Sequence, residues 1–69
     1  MTPNQVKAAR AWLGWTQPQL AEAARVGLST VLDYEKGRRT PVPNNLSAIQ
    51  RALEDAGIEF TKDAIRKRS

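Results

Sequence analysis

Apolar residues recur along this chain at helical spacing in four stretches. Val6, Ala9 and Leu13 mark one face, with Trp12 on its flank. Leu20, Ala21 and Ala24 mark a second face, and Val31 and Tyr34 a third. Leu46, Ile49, Leu53 and Ala56, at spacings of 3, 4 and 3, give the clearest amphipathic pattern in the chain. Beyond Gly57 the period changes. Ile58-Glu59-Phe60-Thr61 alternates apolar and polar, as a half-buried strand does, and Thr61-Lys62-Asp63 is a candidate turn. Ala64-Ile65-Arg66-Lys67 then suits a returning strand. The pattern predicts four helices within residues 1–57 and a short strand-like extension over residues 58–69.

Local chemistry sets the element ends. In Thr2-Pro3-Asn4-Gln5, threonine suits the cap, proline sits where a missing N–H costs nothing, and glutamine completes a capping box. Gly14 stands where a left-handed residue is wanted. Thr16-Gln17-Pro18-Gln19 repeats the device and starts a second helix, with Gln17 and Glu22 expected to face outward. Arg25-Val26-Gly27 makes the turn, Val26 tucked inward and Gly27 supplying a conformation that side chains resist. The third helix, Leu28 to Lys36, presents Ser29, Leu32, Asp33 and Lys36 on its outer face, with Leu28 at the edge. Gly37 ends it. Pro41 and Pro43 stiffen a basic connector, and the fourth helix runs from about Pro43 to Ala56. Trp12, Trp15 and Tyr34 read as core rather than as base-stacking platforms.

Composition narrows the function. The 69 residues suit one small domain with a limited core, and they include no cysteine or histidine. Disulfides, the usual structural zinc sites and nucleophile–histidine arrangements are thereby excluded. Glu35, Glu54, Asp55 and Glu59 form no convincing acid/base pair, and there is no phosphate loop, so the expectation is a non-enzyme needing no metal and no cofactor. Apolar runs fall short of the roughly 20 residues of a membrane span, and residues 1–20 lack the apolar stretch of a signal peptide. A cytoplasmic protein is expected. Net charge is +4, and most of it lies early. Residues 1–45 carry six basic against three acidic side chains, residues 46–69 five against four. Such a balance favours polyanionic partners.

Residues 16–40 are the most informative segment: a helix, a tight turn and a second helix that runs into Lys36-Gly37-Arg38-Arg39. Two helices held by a short turn can push the second into a DNA major groove. Outward leucines at 28 and 32 make sense if that face meets something. The pattern Thr16-Gln17-x-x-Leu20-Ala21-Glu22, Val26, Ser29-Thr30-Val31 and Tyr34-Glu35-Lys36-Gly37-Arg38-Arg39-Thr40-Pro41 resembles the Cro and phage-repressor helix-turn-helix family, also called the xenobiotic response element type. The resemblance covers roughly residues 5 to 56. The tail Ala56-Gly57-Ile58-Glu59-Phe60 resembles an extension of small bacterial members.

The resemblance implies an all-α fold, a compact bundle of four or five helices with a short C-terminal strand or hairpin. It also implies DNA binding as a homodimer on a palindromic operator, and transcriptional regulation as a repressor. It places Gln17 where such residues bond a phosphate and brace the reading helix. It puts Leu28, Ser29, Thr30, Leu32 and Asp33 on that helix or its rim, and pairs Arg10 with Glu35. The chain departs from the family pattern at Arg25, where the turn often has glycine, so that either Arg25 is strained or the turn differs slightly, and at Leu28, where the residue is usually polar.

Each candidate has a function and a plainer alternative. Ser29 bonds a base edge or phosphate, or caps the third helix. Leu28 and Leu32 touch thymine methyls, or pack on a neighbouring loop. Asp33 accepts from cytosine N4, or is neutralised by a neighbour such as Lys36. Lys36, Arg38 and Arg39 are the expected phosphate clamps, joined by Thr16 and Gln17. Asn44 and Asn45 bond phosphate at the start of helix 4, or cap it. Arg66-Lys67-Arg68 reads as a solvated terminus. Ile58, Phe60 and Ile65 have no evident place inside a four-helix unit; the tail is expected to pair with that of a second chain as a dimerisation element, or to fold back as a hairpin. The alternative function is an antitoxin-like or adaptor module that binds a partner protein.

Overall fold

Thr2 and Gln5 open the first helix as a reciprocal pair. The Gln5 N–H donates to Thr2 Oγ1 at 3.2 Å, and the Thr2 N–H donates to Gln5 Oε1 at 2.9 Å. Helix α1 (Pro3–Leu13) then runs to Gly14, whose φ of +71° is the left-handed cap the sequence predicts. Thr16 and Gln19 repeat the exchange at 2.8 and 3.2 Å to start α2 (Gln17–Ala24). Next come α3 (Leu28–Glu35), α4 (Pro43–Asp55), β1 (Ile58–Phe60) and β2 (Ile65–Lys67). These elements belong to a computed structural model that describes residues 1–68. Within them the architecture is a four-helix bundle carrying a two-stranded antiparallel hairpin.

The core gathers one stripe from every helix. Val6, Ala9, Leu20, Val31, Ile49 and Leu53 are fully buried, with Ala21, Ala24 and Tyr34 beside them. The alanines let α2 lie close to both α3 and α4. Trp12 departs from expectation: it is 50% exposed. At about 100° per residue it lies about 60° beyond Ala9, past the edge of the buried stripe. Trp15 packs against the core only in part.

The turn between α2 and α3 decides between the two readings of Arg25 and Gly27. Arg25, not Gly27, takes the left-handed conformation, with φ of 57°. The constraint falls on the residue directly after α2. There the Arg25 N–H bonds Glu22 O at 3.1 Å and the Val26 N–H bonds Ala21 O at 3.0 Å. Gly27 keeps an extended backbone, φ −67° and ψ 147°, which any residue adopts. Left-handed backbone costs a side-chain-bearing residue about 1–2 kcal/mol, partly offset in glycine by its freedom when unfolded. Arg25→Gly is therefore expected to stabilise the fold by about 0.5–1 kcal/mol, raising Tm by roughly 2–8 °C in a thermal melt. A lower Tm would show that this conformation carries no strain.

The tail folds back on its own chain. Ile58 faces Lys67, Glu59 faces Arg66 and Phe60 faces Ile65. This register puts Ile58, Phe60 and Ile65 on one side of the hairpin, turned toward the helices. Ile58 is fully buried and joins the core, while Phe60 and Ile65 pack against it. The expectation that Ile58 has no place within the unit is therefore corrected. The period-2 pattern shows a strand but not which surface covers it. The basic terminus is also tied down in part. Arg66 approaches Glu59 at 3.5 Å in an exposed pair worth little, and the Arg68 guanidinium donates to the Glu54 carbonyl at the end of α4.

Candidate nucleic-acid interface

The third helix is held at its C-terminal end before it can present a face. At its end, Glu35 is buried, and Arg10 reaches it from α1 with two hydrogen bonds. Nε donates to Oε2 at 2.9 Å and Nη2 to Oε1 at 3.0 Å. The third arm of the guanidinium, Nη1, donates to the Trp15 carbonyl at 2.9 Å. Gln17 Nε2 donates to Glu35 Oε1 at 3.0 Å. One carboxylate thus collects α1, the start of α2 and the end of α3. The side chain expected to look outward at Gln17 turns in to this network, so its amide braces α3. Tyr34 adds a second tie: burial raises its phenol above the usual tyrosine value, and the protonated hydroxyl donates to the Met1 carbonyl at 3.2 Å.

At its start α3 has no side-chain cap, so Ser29 is not capping. Ser29 and Leu28 are exposed, and Thr30, Leu32 and Asp33 are half-buried along the same outer side. Lys36 caps the end of the helix and is exposed. Gly37, with φ of +72°, then reverses the chain. Its N–H bonds Tyr34 O at 3.0 Å, and the Arg38 N–H bonds Asp33 O at 2.9 Å. That turn brings Arg38 and Arg39, both exposed, back beside α3. Pro41 is buried and anchors the connector.

A cleft of about 160 Å³ lies between α3 and the start of α4. Ser29, Thr30, Asp33, Arg39 and Asn45 line it, together with Pro41 and Val42. Five predicted site residues from two helices and a loop therefore share one concavity. Arg38 and Arg39 also line a neighbouring depression with Thr40 and Leu46. Lys36, Arg38 and Arg39 enter no ion pair among the described residues. All three are exposed, so their charge faces solvent.

Other predicted residues lie elsewhere. Thr16 spends its hydroxyl on the Gln19 N–H, at the start of α2. Asn44 and Asn45 do not cap α4, because Val42 is its N-cap residue and no side-chain cap bond forms. They sit inside the first turn, where the free N–H groups and the helix dipole favour an anion. Sequence reasoning missed Val42, which is 61% exposed at the mouth of the cleft. Its position between two prolines was the available signal: a hydrophobe in a stretch barred from helix.

Residues 6–54 match the family model described as helix-turn-helix. The comparison with curated proteins gives no match.

Proposed function

This chain belongs to the Cro/C1-type helix-turn-helix family, and on that premise we propose that it is a sequence-specific repressor that reads operator DNA with α3. DNA binding and transcriptional regulation come with the family. The observation that supports the finer reading is the cleft: the polar outer face of α3 opens onto the same side as Arg39 and the start of α4. Helix side chains then reach base edges while Lys36, Arg38, Arg39 and the first turn of α4 hold phosphates on either side. Repression follows from occupancy, since a protein seated in the groove denies that duplex to other proteins. Two copies on a palindromic site, with reading helices about 34–36 Å apart, complete the proposal.

A titration of duplex DNA between about 50 and 200 mM salt tests it. Affinity is expected to fall steeply with salt. Replacing both Arg38 and Arg39 with alanine should weaken binding to all sequences alike and flatten the log–log slope by about 1 for each phosphate no longer neutralised. A double variant with unchanged affinity and slope removes the clamp. An antitoxin-like or adaptor role makes no such demand on these arginines. Sedimentation of the complex should give two chains per operator, and one chain per site would remove the dimer.

A further inference from the structure

Asp33 is the anomaly of this surface. A carboxylate beside a phosphate backbone is repelled, and Lys36, three residues on, is the obvious neutralising partner. The structure does not make that pair: Asp33 takes part in no ion pair and no side-chain hydrogen bond among the described residues. It stands half-buried in the cleft, one turn from Ser29 and beside Thr30. Arg39 lines the same cleft and supplies the positive charge that offsets repulsion from phosphate. The carboxylate therefore has no partner among the described residues and lines the cleft on the side that the proposed function turns to DNA.

We infer that Asp33 selects cytosine at one position of each half-site; the inference rests on that reading of α3. An ionised carboxylate only accepts hydrogen bonds. In the major groove, guanine offers N7 and O6, both acceptors, and thymine offers O4 and a methyl group. Neither suits Asp33. Adenine offers its N6 donor, but beside the N7 acceptor, which faces the second carboxylate oxygen as a like partner. Cytosine alone presents an N4 donor with no acceptor next to it on its own edge.

Binding sites selected from random duplex DNA, followed by affinities on single-base variants of the winner, test this for the wild-type, Asp33→Asn and Asp33→Ala chains. The wild-type chain is expected to prefer cytosine at one position per half-site by about 5- to 150-fold. Asparagine carries a donor and an acceptor that match adenine N6 and N7, so Asp33→Asn should move the preference at that position to adenine. Asp33→Ala should flatten it and leave the other positions as they were. A selected site unchanged in both variants overturns the inference while leaving sequence-specific binding intact. Tighter binding of Asp33→Ala to every duplex alike, with the preferred site unchanged, also overturns it, marking Asp33 as a group that faces phosphate. A wild-type chain with no salt-dependent duplex affinity overturns both the inference and the function beneath it.

Discussion

Arg10→Ala is expected to cost this fold about 3–5 kcal/mol, a large share of the total stability of a small domain. The two partners are not equivalent. The Glu35 side chain is 2% exposed, whereas that of Arg10 is 20% exposed. Removing Arg10 strands a buried carboxylate with the Gln17 amide as its remaining partner and frees the Trp15 carbonyl. Removing Glu35 leaves an arginine that keeps the Trp15 carbonyl and has some access to water. Glu35→Ala should therefore be the milder of the two. Each kcal/mol is worth about 4–8 °C at this size, so Arg10→Ala should lower Tm by roughly 12–40 °C in a melt followed by circular dichroism. Equal and negligible losses would show that the network is ornament to the fold. Because the same carboxylate anchors the end of α3, the destabilised variants should also bind DNA more weakly near their melting range.

Ile58→Ala is expected to cost about 2–5 kcal/mol through the cavity left behind. The residue is fully buried where β1 lies on α4. This substitution separates two roles for the tail. If Ile58 is core, its loss lowers Tm by the same amount at every protein concentration. If it is an interface residue, the loss shrinks on dilution, because the wild-type chain would then fall apart too. The burial in one chain predicts the first result.

Much of the scaffold is legible because its signals are local. The Thr2–Gln5 and Thr16–Gln19 boxes, the left-handed Gly14 and the stripe of Ile49 and Leu53 depend on residues within a few positions of one another. Arg10 with Glu35 is a different case: 25 residues separate them, and only the likeness to a family points to the pair. The misreadings come from geometry that spacing alone does not carry. Periodicity marks a face but not its width, so it counts Trp12 into the core. A turn demands left-handed backbone at one geometric position, and Gly27 suits by residue type a role that falls on Arg25. Gln17 looks free until Glu35 is placed against it. At the candidate interface, α3 announces its outer face. The cleft does not show in the sequence, because Val42 and Asn45 enter it only once α4 has docked.

Gln5 does two jobs with the two ends of one amide. Its oxygen closes the box at the start of α1, and its nitrogen donates to the carbonyls of Thr61 and Ala64, each at 3.1 Å, across the hairpin turn. The first residues of the chain are further tied to α3 through Met1 and Tyr34. Ends of small domains usually fray independently. Here the first turn of α1 cannot unwind without releasing the loop that joins β1 to β2, and that loop cannot lift without uncapping α1. The two ends should open as a single cooperative unit, so hydrogen exchange of their backbone amides should report one shared opening free energy.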